Sequence, residues 1–285
     1  MNLLLGLLIV IGSVLGGFSI KGGHVAALIQ PAELLIIAGA AIGAFVISNP
    51  AYKLKECIHA VANIFKGSIY GKEAYKEMLS LLYALLLKIR KNGMLTVESD
   101  IENPDESAIF IIHPKIMHNR RVKEFICDHF RIIMTGNMNS YELENLMDVD
   151  MEASNHTTRS PAEAIGYLSE ALPAFGIIAA VMGVVITMAA VGGPLEVLGE
   201  KIAAALVGTF LGILIAYGFL GPASRLLHNL AEEEEQFFIC IKTCIIAYLN
   251  GYPPKVALEF GRVSIPPPMR PVANELEKYI LSKKT

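Results

Sequence analysis

Long apolar runs interrupt the polar sequence at four places, and each run is long enough to cross a lipid bilayer. A membrane-spanning helix needs about 20 predominantly apolar residues, because each residue advances the helix by about 1.5 Å. The pattern therefore predicts four transmembrane helices, at about residues 3–20, 32–48, 171–192 and 202–220.

The polar sequence between the second and third predicted spans has the periodicity of amphipathic helices. Apolar residues recur at i, i+3 and i+4 from residue 73 to 91, and Asn92-Gly93 supplies a left-handed stop. Similar patterns predict helices at about 121–134 and 139–152, and the polar stretch 154–161 predicts a break before the third span. We interpret this region as a helical globular domain.

The helical pattern of the fourth span continues beyond the membrane. Pro222 interrupts it, but apolar residues keep helical spacing to about residue 249, where Asn250-Gly251 ends the pattern. A continuous helix of about 48 residues would be roughly 70 Å long, more than twice the thickness of the hydrocarbon core. Four domains follow: spans one and two with a short periplasmic loop (1–49), a helical cytoplasmic domain (50–170), spans three and four (171–221), and a cytoplasmic helical extension and tail (222–285).

Composition narrows the class of protein. Of the 285 residues, 53% are hydrophobic and only 18% are charged, a balance too apolar for a soluble domain of this length. The prediction is an all-α polytopic membrane protein with four transmembrane helices and a helical cytoplasmic domain. The net charge of −3 leaves no basic excess for binding nucleic acid. The four cysteines are scattered and lack neighbouring ligands, so we interpret them as reduced thiols and expect no metal site and no cofactor.

The distribution of basic residues sets the orientation in the membrane. The loop between spans one and two and the loop between spans three and four are short, and each carries one lysine. Nearly all other Lys and Arg residues lie in the two long polar regions. Because cytoplasmic segments carry the excess of positive charge, both termini and the large loop are predicted to be cytoplasmic.

Small residues recur at helical spacing in the predicted spans. Lipid gives helices no hydrophobic reason to associate, so such faces serve to bring backbones close together. We expect them to mediate helix packing, chiefly between subunits, and we interpret the face with Gly176, Ala180 and Gly183 as room for the helix of another chain. Span four carries the set Ala204, Gly208, Gly212 and Ala216.

The predicted spans hold no carboxylate at mid-depth, and Glu33 lies at the end of the second span. Proteins that carry protons or cations across a membrane need an ionisable group within it, so this chain is half of a conductor or no conductor. Three functions stay open: an ion-channel subunit whose titrating carboxylate comes from a partner chain, a passive scaffold, and a membrane-embedded enzyme. The sequence contains no zinc-protease, P-loop or serine-hydrolase motif, so we do not expect an enzyme.

Four motifs, in order, resemble those of the MotA family, the A-subunits of flagellar motor stators. They are GGHVAALIQPAELLIIAGAAIGAF (22–45), DIENPDES (100–107), LPAFGIIAAVMGVV (172–185) and VGTFLGILIAYGF (207–219). The resemblance implies a multi-pass protein of the bacterial inner membrane, in a ring of five around a pair of MotB subunits. In that arrangement the single membrane helix of MotB supplies the proton-accepting aspartate.

The same resemblance implies roles for individual residues. Pro173 and Pro222 match prolines needed for torque, and Arg90 and Glu98 match charges that engage the rotor protein FliG. A proline removes one backbone donor and bends a helix, which suits a hinge. Arg90 and Glu98 flank a predicted turn, where exposed charges can steer a charged partner.

The ion path is assigned to Pro173, Ala180, Thr209 and Pro222. In sodium-driven relatives the position of Ala180 carries a hydroxyl group, and alanine lowers the number of oxygen ligands, while Thr209 keeps one. The resemblance therefore implies proton coupling.

Two alternatives within this class stay open. The ExbB and TolQ proteins, which energise the outer membrane, resemble spans three and four but generally have three spans and a different N-terminus. A non-conducting scaffold is the other alternative. The acidic run at 232–235 is interpreted either as a solvated helix face or as a regulatory contact.

Overall fold

Helices make up almost all the secondary structure of the computed structural model, which describes residues 2–189 and 191–283. Within these ranges it contains no β-strand, so the all-α prediction is confirmed. Four helical segments are long and apolar enough to cross a membrane, as predicted. They lie in α1 (Asn2–Ile20), α2 (Pro31–Ser48), α9 (Ser140–Met188) and α10 (Leu195–Ile215), which we call spans one to four.

The remaining helices are shorter or more polar. They are α3 (Ala51–Ile64), α4 (Lys72–Asn92), α5 (Glu98–Glu102), α6 (Ala108–Ile111), α7 (Pro114–Met117), α8 (Arg120–Thr135), α11 (Gly221–Leu249), α12 (Pro254–Ser264) and α13 (Ala273–Ser282). Two 3-10 turns, Val25–Leu28 and Met94–Val97, precede α2 and α5. A π-helical turn, Ala216–Leu220, joins α10 to α11.

Local sequence explains where several helices begin and end. α4 ends at Gly93, whose φ of 92° is a conformation that suits glycine, so the predicted stop is confirmed. α9 begins with a capping box: the side-chain oxygen of Asn139 accepts from the Glu142 N–H, and the Glu142 carboxylate accepts from the Asn139 N–H, both at 2.9 Å. These local signals were readable in advance because they involve residues three or four positions apart.

α9 is one uninterrupted helix of 49 residues, so the predicted break at 154–161 is wrong. Pro161 lies inside the helix, and one proline removes only a single backbone donor. Next to it, the buried side chains of Ala162 and Ile165 cluster with Leu227, and this packing favours a continuous helix. A run of polar residues therefore does not by itself end a helix.

The chain forms two compact units. One contains all four spans and α3, with residues up to Gly67 together with Thr157–Asn229. The other contains Ser68–His156 together with the sequence from Leu230 onward. These limits differ from the four domains predicted from sequence, because residues 50–67, 157–170 and 222–229 group with the membrane spans.

The second unit is built around α4, most of whose side chains are buried. Met78, Leu79, Leu82 and Leu86 are fully buried in one continuous hydrophobic cluster. The acidic run 232–235 contributes to this unit: Glu234 is largely buried and forms an ion pair with Arg121. For Glu234 the interpretation as a solvated face is therefore wrong. Burial raises the pKa of Glu234, and the Arg121 guanidinium opposes that rise.

The four cysteines, Cys57, Cys127, Cys240 and Cys244, are free and buried, as the interpretation of reduced thiols requires. Cys240 and Cys244 lie against Gly261, where an added Cβ would meet the Cys244 sulfur at 2.0 Å. Burial also raises the pKa of Cys127 to about 12. These thiols therefore act as small apolar core groups.

Candidate ion pathway in the membrane unit

Spans three and four touch backbone to backbone through glycines. A Cβ added to Gly212 would lie 2.9 Å from the carbonyl oxygen of Leu172, and one added to Gly176 would lie 3.1 Å from that of Gly208. Contacts this short leave no room for a side chain, so these glycines are what allows the approach. The structure thus brings together three of the four predicted packing glycines.

The fourth, Gly183, meets Ala205 of span four, whose Cβ would be only 2.7 Å from an added Cβ. Gly176 and Gly183 of span three are therefore filled by span four of the same chain. The expectation that this face leaves room for another chain was wrong for these two positions. Ala180 and Pro173 are half-buried on the same helix.

Hydroxyl groups in the spans are used within the helix pair. Thr209 Oγ1 of span four lies 3.4 Å from the carbonyl oxygen of Gly176 in span three, a long hydrogen bond. Thr187 is buried and donates to the carbonyl of Gly183, four residues earlier, at 2.7 Å. The predicted ion-path residue Thr209 therefore lies at the contact between spans three and four.

Pro222 lies at the second position of α11, directly after the π turn Ala216–Leu220. The carbonyl of Ala216 accepts from the N–H of Gly221, and also from the hydroxyl of Ser169 at 2.8 Å. A second hydroxyl, that of Ser224, donates to the carbonyl of Ala162 at 2.7 Å. Hydrogen bonds from the two serine hydroxyl groups thus hold α9 beside the irregular junction of α10 and α11.

A cleft of about 600 Å³ opens beside the π turn. Charged side chains of both signs line it, from Glu163 and Glu170 on α9 and Arg225 on α11. The exposed Tyr217 adds a hydroxyl from the π turn itself. A cleft of this chemistry can hold water next to the end of the paired spans.

The sequence places Glu33 at the end of the second predicted span, outside the predicted ion path. In the structure it is buried, with its carboxyl group against Gly208 of span four and Gly183 of span three. Its Oε2 atom has no hydrogen-bond partner among residues 2–189 and 191–283. The signal available in the sequence was a carboxylate two residues after Pro31, in the first turn of an apolar helix.

Arg90 and Glu98 belong to the other compact unit. Arg90 lies in the last turn of α4 and Glu98 at the start of α5, and both are exposed. Between them Leu95 is 69% exposed, so the turn also presents an apolar tip. Neither charge forms an ion pair within the described part of the chain.

Comparison with known proteins places these features in a family. Residues 4–93 match the motility protein A N-terminal model, and residues 118–238 match the MotA/TolQ/ExbB proton channel family. Motility protein A of Salmonella typhimurium is 45% identical over 280 residues, covering 98% of this chain and 95% of that protein. The chain belongs to the motility protein A family.

Other members of the motility protein A family agree with this assignment. The protein from Escherichia coli is 44% identical over 284 residues, covering 100% of this chain and 96% of its own length. The solved structure of C. jejuni MotAB superimposes with a TM-score of 0.78 at 20% identity, covering 93% of this chain and 96% of that one. This structural likeness shows a shared fold.

Proposed function

We propose that this chain is the A-subunit of a flagellar motor stator, which forms a proton channel with a single-span B-subunit and converts the proton motive force into torque. The observation that carries the proposal is identity of 44–45% with motility protein A over essentially the whole chain. The match of residues 4–93 to the motility protein A N-terminal model favours this function over an ExbB-like or TolQ-like energiser.

The need for a partner follows from the chemistry of spans three and four. Their apolar segments, residues 171–192 and 202–220, contain no carboxylate, and a proton carrier needs an ionisable group in the membrane. Solved relatives are MotAB complexes, so a MotB-like subunit with a membrane aspartate fits this gap. A ring of five A-subunits around two such helices, with both termini in the cytoplasm of a bacterial inner-membrane protein, completes the proposal.

In the proposed mechanism, spans three and four line the proton path and move during each cycle. Protons neutralise the partner's aspartate beside spans three and four. They then leave through the cleft beside the π turn, which Glu170 lines. Pro222 and the π turn supply a place where span four can bend, because backbone bonding there is irregular. Arg90 and Glu98 then transmit the movement to charges on the rotor protein FliG.

The direct test is co-expression with a MotB-like single-span protein. We expect the two chains to purify together, and vesicles holding the complex to take up protons when a membrane potential is applied. Replacing the partner's membrane aspartate by asparagine should abolish the uptake but not the association. Uptake that persists with asparagine, or a chain that purifies without the partner, would contradict the proposal.

The choice of ion is tested separately. Ala180 offers no hydroxyl for sodium, so rotation at fixed pH should not depend on sodium concentration and should stop on addition of a protonophore. Rotation that follows sodium and ignores the protonophore would show that the coupling ion is sodium.

A further inference from the structure

The carboxyl group of Glu33 lies where α2 meets α9 and α10, and the proton path proposed above does not use it. The residue is only 9% exposed, and its Oε2 atom is fully buried, with no hydrogen-bond partner in the part of the chain that the structure describes. An ionisable side chain inside a membrane helix is costly, and it therefore indicates a function.

The space around this carboxyl group exists because side chains are missing. A Cβ added to Gly208 would lie 2.8 Å from Oε2, and one added to Gly183 would lie 3.7 Å from Oε1. Ala179, at 3.3 Å from the same added Cβ on Gly208, closes the notch on the side of span three. We call this space, bounded by Ala179, Gly183, Ala205 and Gly208, the Glu33 notch.

Among the residues that the structure describes, no charged group forms an ion pair with Glu33 inside the notch. The residues that α9 and α10 contribute are glycine and alanine, and the nearby hydroxyl of Thr187 is bound to the Gly183 carbonyl. Glu200 and Lys201 lie on α10, with Lys201 one helical turn before Ala205, and His24 precedes the turn Val25–Leu28. Lys201 forms no ion pair with Glu33 in the described part of the chain.

We propose that Glu33 is a proton-binding positioning residue, whose neutral carboxyl group docks span two into the notch between spans three and four. An ionised carboxylate in the notch would lack both a counter-charge and a donor, which costs far more than burying the neutral acid. Docking of span two and proton binding at Glu33 are therefore linked equilibria. The tests use the complex with the single-span partner and so rest on that part of the proposed function, but they do not depend on ion flow or torque.

The protonation state is read directly by infrared difference spectroscopy on the purified complex with the single-span partner. Subtracting the spectrum of Glu33→Gln from that of the unmodified protein at neutral pH should show a carboxylic-acid C=O band that shifts in D2O. The matched control is Glu200→Gln, which removes an exposed carboxyl group of α10 and should show ionised-carboxylate bands. Ionised-carboxylate bands for Glu33 as well would overturn the proposal.

The docking is tested by a pair of substitutions. Gly208→Ala places a methyl group against the carboxyl oxygen, and it should lower the melting temperature of the complex by about 3–10 °C. Adding Glu33→Ala to Gly208→Ala should recover part of that loss, because the two groups compete for one space. The control is Gly199→Ala on the same helix, where an added Cβ meets nothing within 4 Å.

Glu33→Gln alone should melt like the unmodified protein at neutral pH, since the amide has the size and neutrality of the acid. A double variant that melts lower than Gly208→Ala alone would contradict the shared notch. Because neither measurement needs ion flow, a complex that fails to drive rotation would contradict the proposed function and leave the tests of Glu33 valid.

Discussion

The glycines of the membrane spans differ in how much change they tolerate. The atom facing Gly212 is the carbonyl oxygen of Leu172, at 2.9 Å from an added Cβ, and it belongs to the backbone of a helix. The atom facing Gly183 is the Cβ of Ala205, a small side chain that also cannot turn away. Gly43 of span two, by contrast, faces open space within the chain.

We therefore predict that Gly212→Ala destabilises the membrane unit by about 1–3 kcal/mol, the usual cost of inserting a group into a packed interface. Thermal unfolding of the purified complex measures this change. Gly43→Ala is the control, and it should be neutral unless a neighbouring chain covers that position. Equal melting temperatures for Gly212→Ala and the unmodified protein would show that the two helices separate easily.

A second prediction at this scale concerns His113 in the second unit. His113 is fully buried: its Nδ1–H donates to the carbonyl of Ile109 at 2.7 Å, and its Nε2 accepts from the hydroxyl of Ser80 at 2.9 Å. Burial lowers the pKa of His113 below its ordinary value of about 6.5. The unfolded chain therefore binds the proton more readily, and stability present above pH 6.5 should fall as the pH decreases through that value.

Melting temperatures between pH 8 and pH 5 test this prediction, with His113→Gln expected to flatten part of the pH dependence. His118 is a matched control, because it makes the same contact with a carbonyl four residues earlier but is exposed. His118→Gln should leave the profile unchanged. A profile that His113→Gln does not alter would assign the acid sensitivity to other groups.

Sequence spacing predicted which small residues matter, but it could not identify what they touch. A glycine at helical spacing signals a close approach, whether the neighbour belongs to the same chain or to another. For Gly176 and Gly183 the neighbour is span four of this chain. The role of Glu33 was unpredictable for a related reason: its position in the first turn of α2 does not reveal that this turn packs against Gly183 and Gly208, 150 and 175 residues later in the sequence.

At the scale of elements, the irregular feature of the membrane unit is the π turn Ala216–Leu220. The carbonyl of Ala216 holds two donors there, Gly221 N–H and the Ser169 hydroxyl. Pro222 follows at once and has no N–H to continue an α-helical pattern. The turn and the proline together prevent the junction of α10 and α11 from adopting regular α-helical geometry.

We predict that Pro222→Ala restores a donor for the carbonyl of residue 218 and lets the π turn relax toward a regular α-helix. Rotation of tethered cells should then be lost, while the amount of protein in the membrane stays the same. Ser169→Ala is the comparison, because it removes one hydrogen bond worth about 1 kcal/mol and leaves the proline in place. Normal rotation by Pro222→Ala would remove the π turn from the mechanism.

Element positions were more predictable than element limits. All four spans followed from apolar length, and α4 followed from its periodicity and its glycine stop. The predicted break at 154–161 is wrong, because a run of polar residues indicates a loop by composition alone, whereas helix α9 continues through it. Whether polar side chains end a helix depends on the packing of the opposite face, which only the folded chain reveals.

At the scale of the whole molecule, the proposed function requires that proton binding in the membrane unit affect the exposed charged turn with Arg90 and Glu98. Arg90 and Glu98 are both exposed and form no ion pair in the described part of the chain, so they can meet a partner's charges. Interactions of this kind act over about 10 Å at 0.1 M salt and weaken as the salt concentration rises. In the proposed contact with the rotor, the two charges would therefore contribute to recognition and orientation.

We predict that Arg90→Glu or Glu98→Lys each reduces swimming, and that a reversal of the opposing charge on FliG restores it. The diameter of the spreading colony in soft agar and the rotation rate of tethered cells measure the effect. Lys91→Glu is the control, because this substitution reverses the same amount of charge at an exposed lysine one residue from Arg90. A compensating FliG variant that rescues neither reversal would show that the contact lies elsewhere.

The contact between Glu33 and Gly208 also constrains how this protein can diverge. Neither position can change freely while the other is kept, because a side chain at 208 would occupy the space of the carboxyl group, and a smaller residue at 33 would leave that space empty. Among related proteins the two positions should therefore vary together. Lineages that gain alanine or serine at 208 should have exchanged the acid at 33 for a shorter side chain.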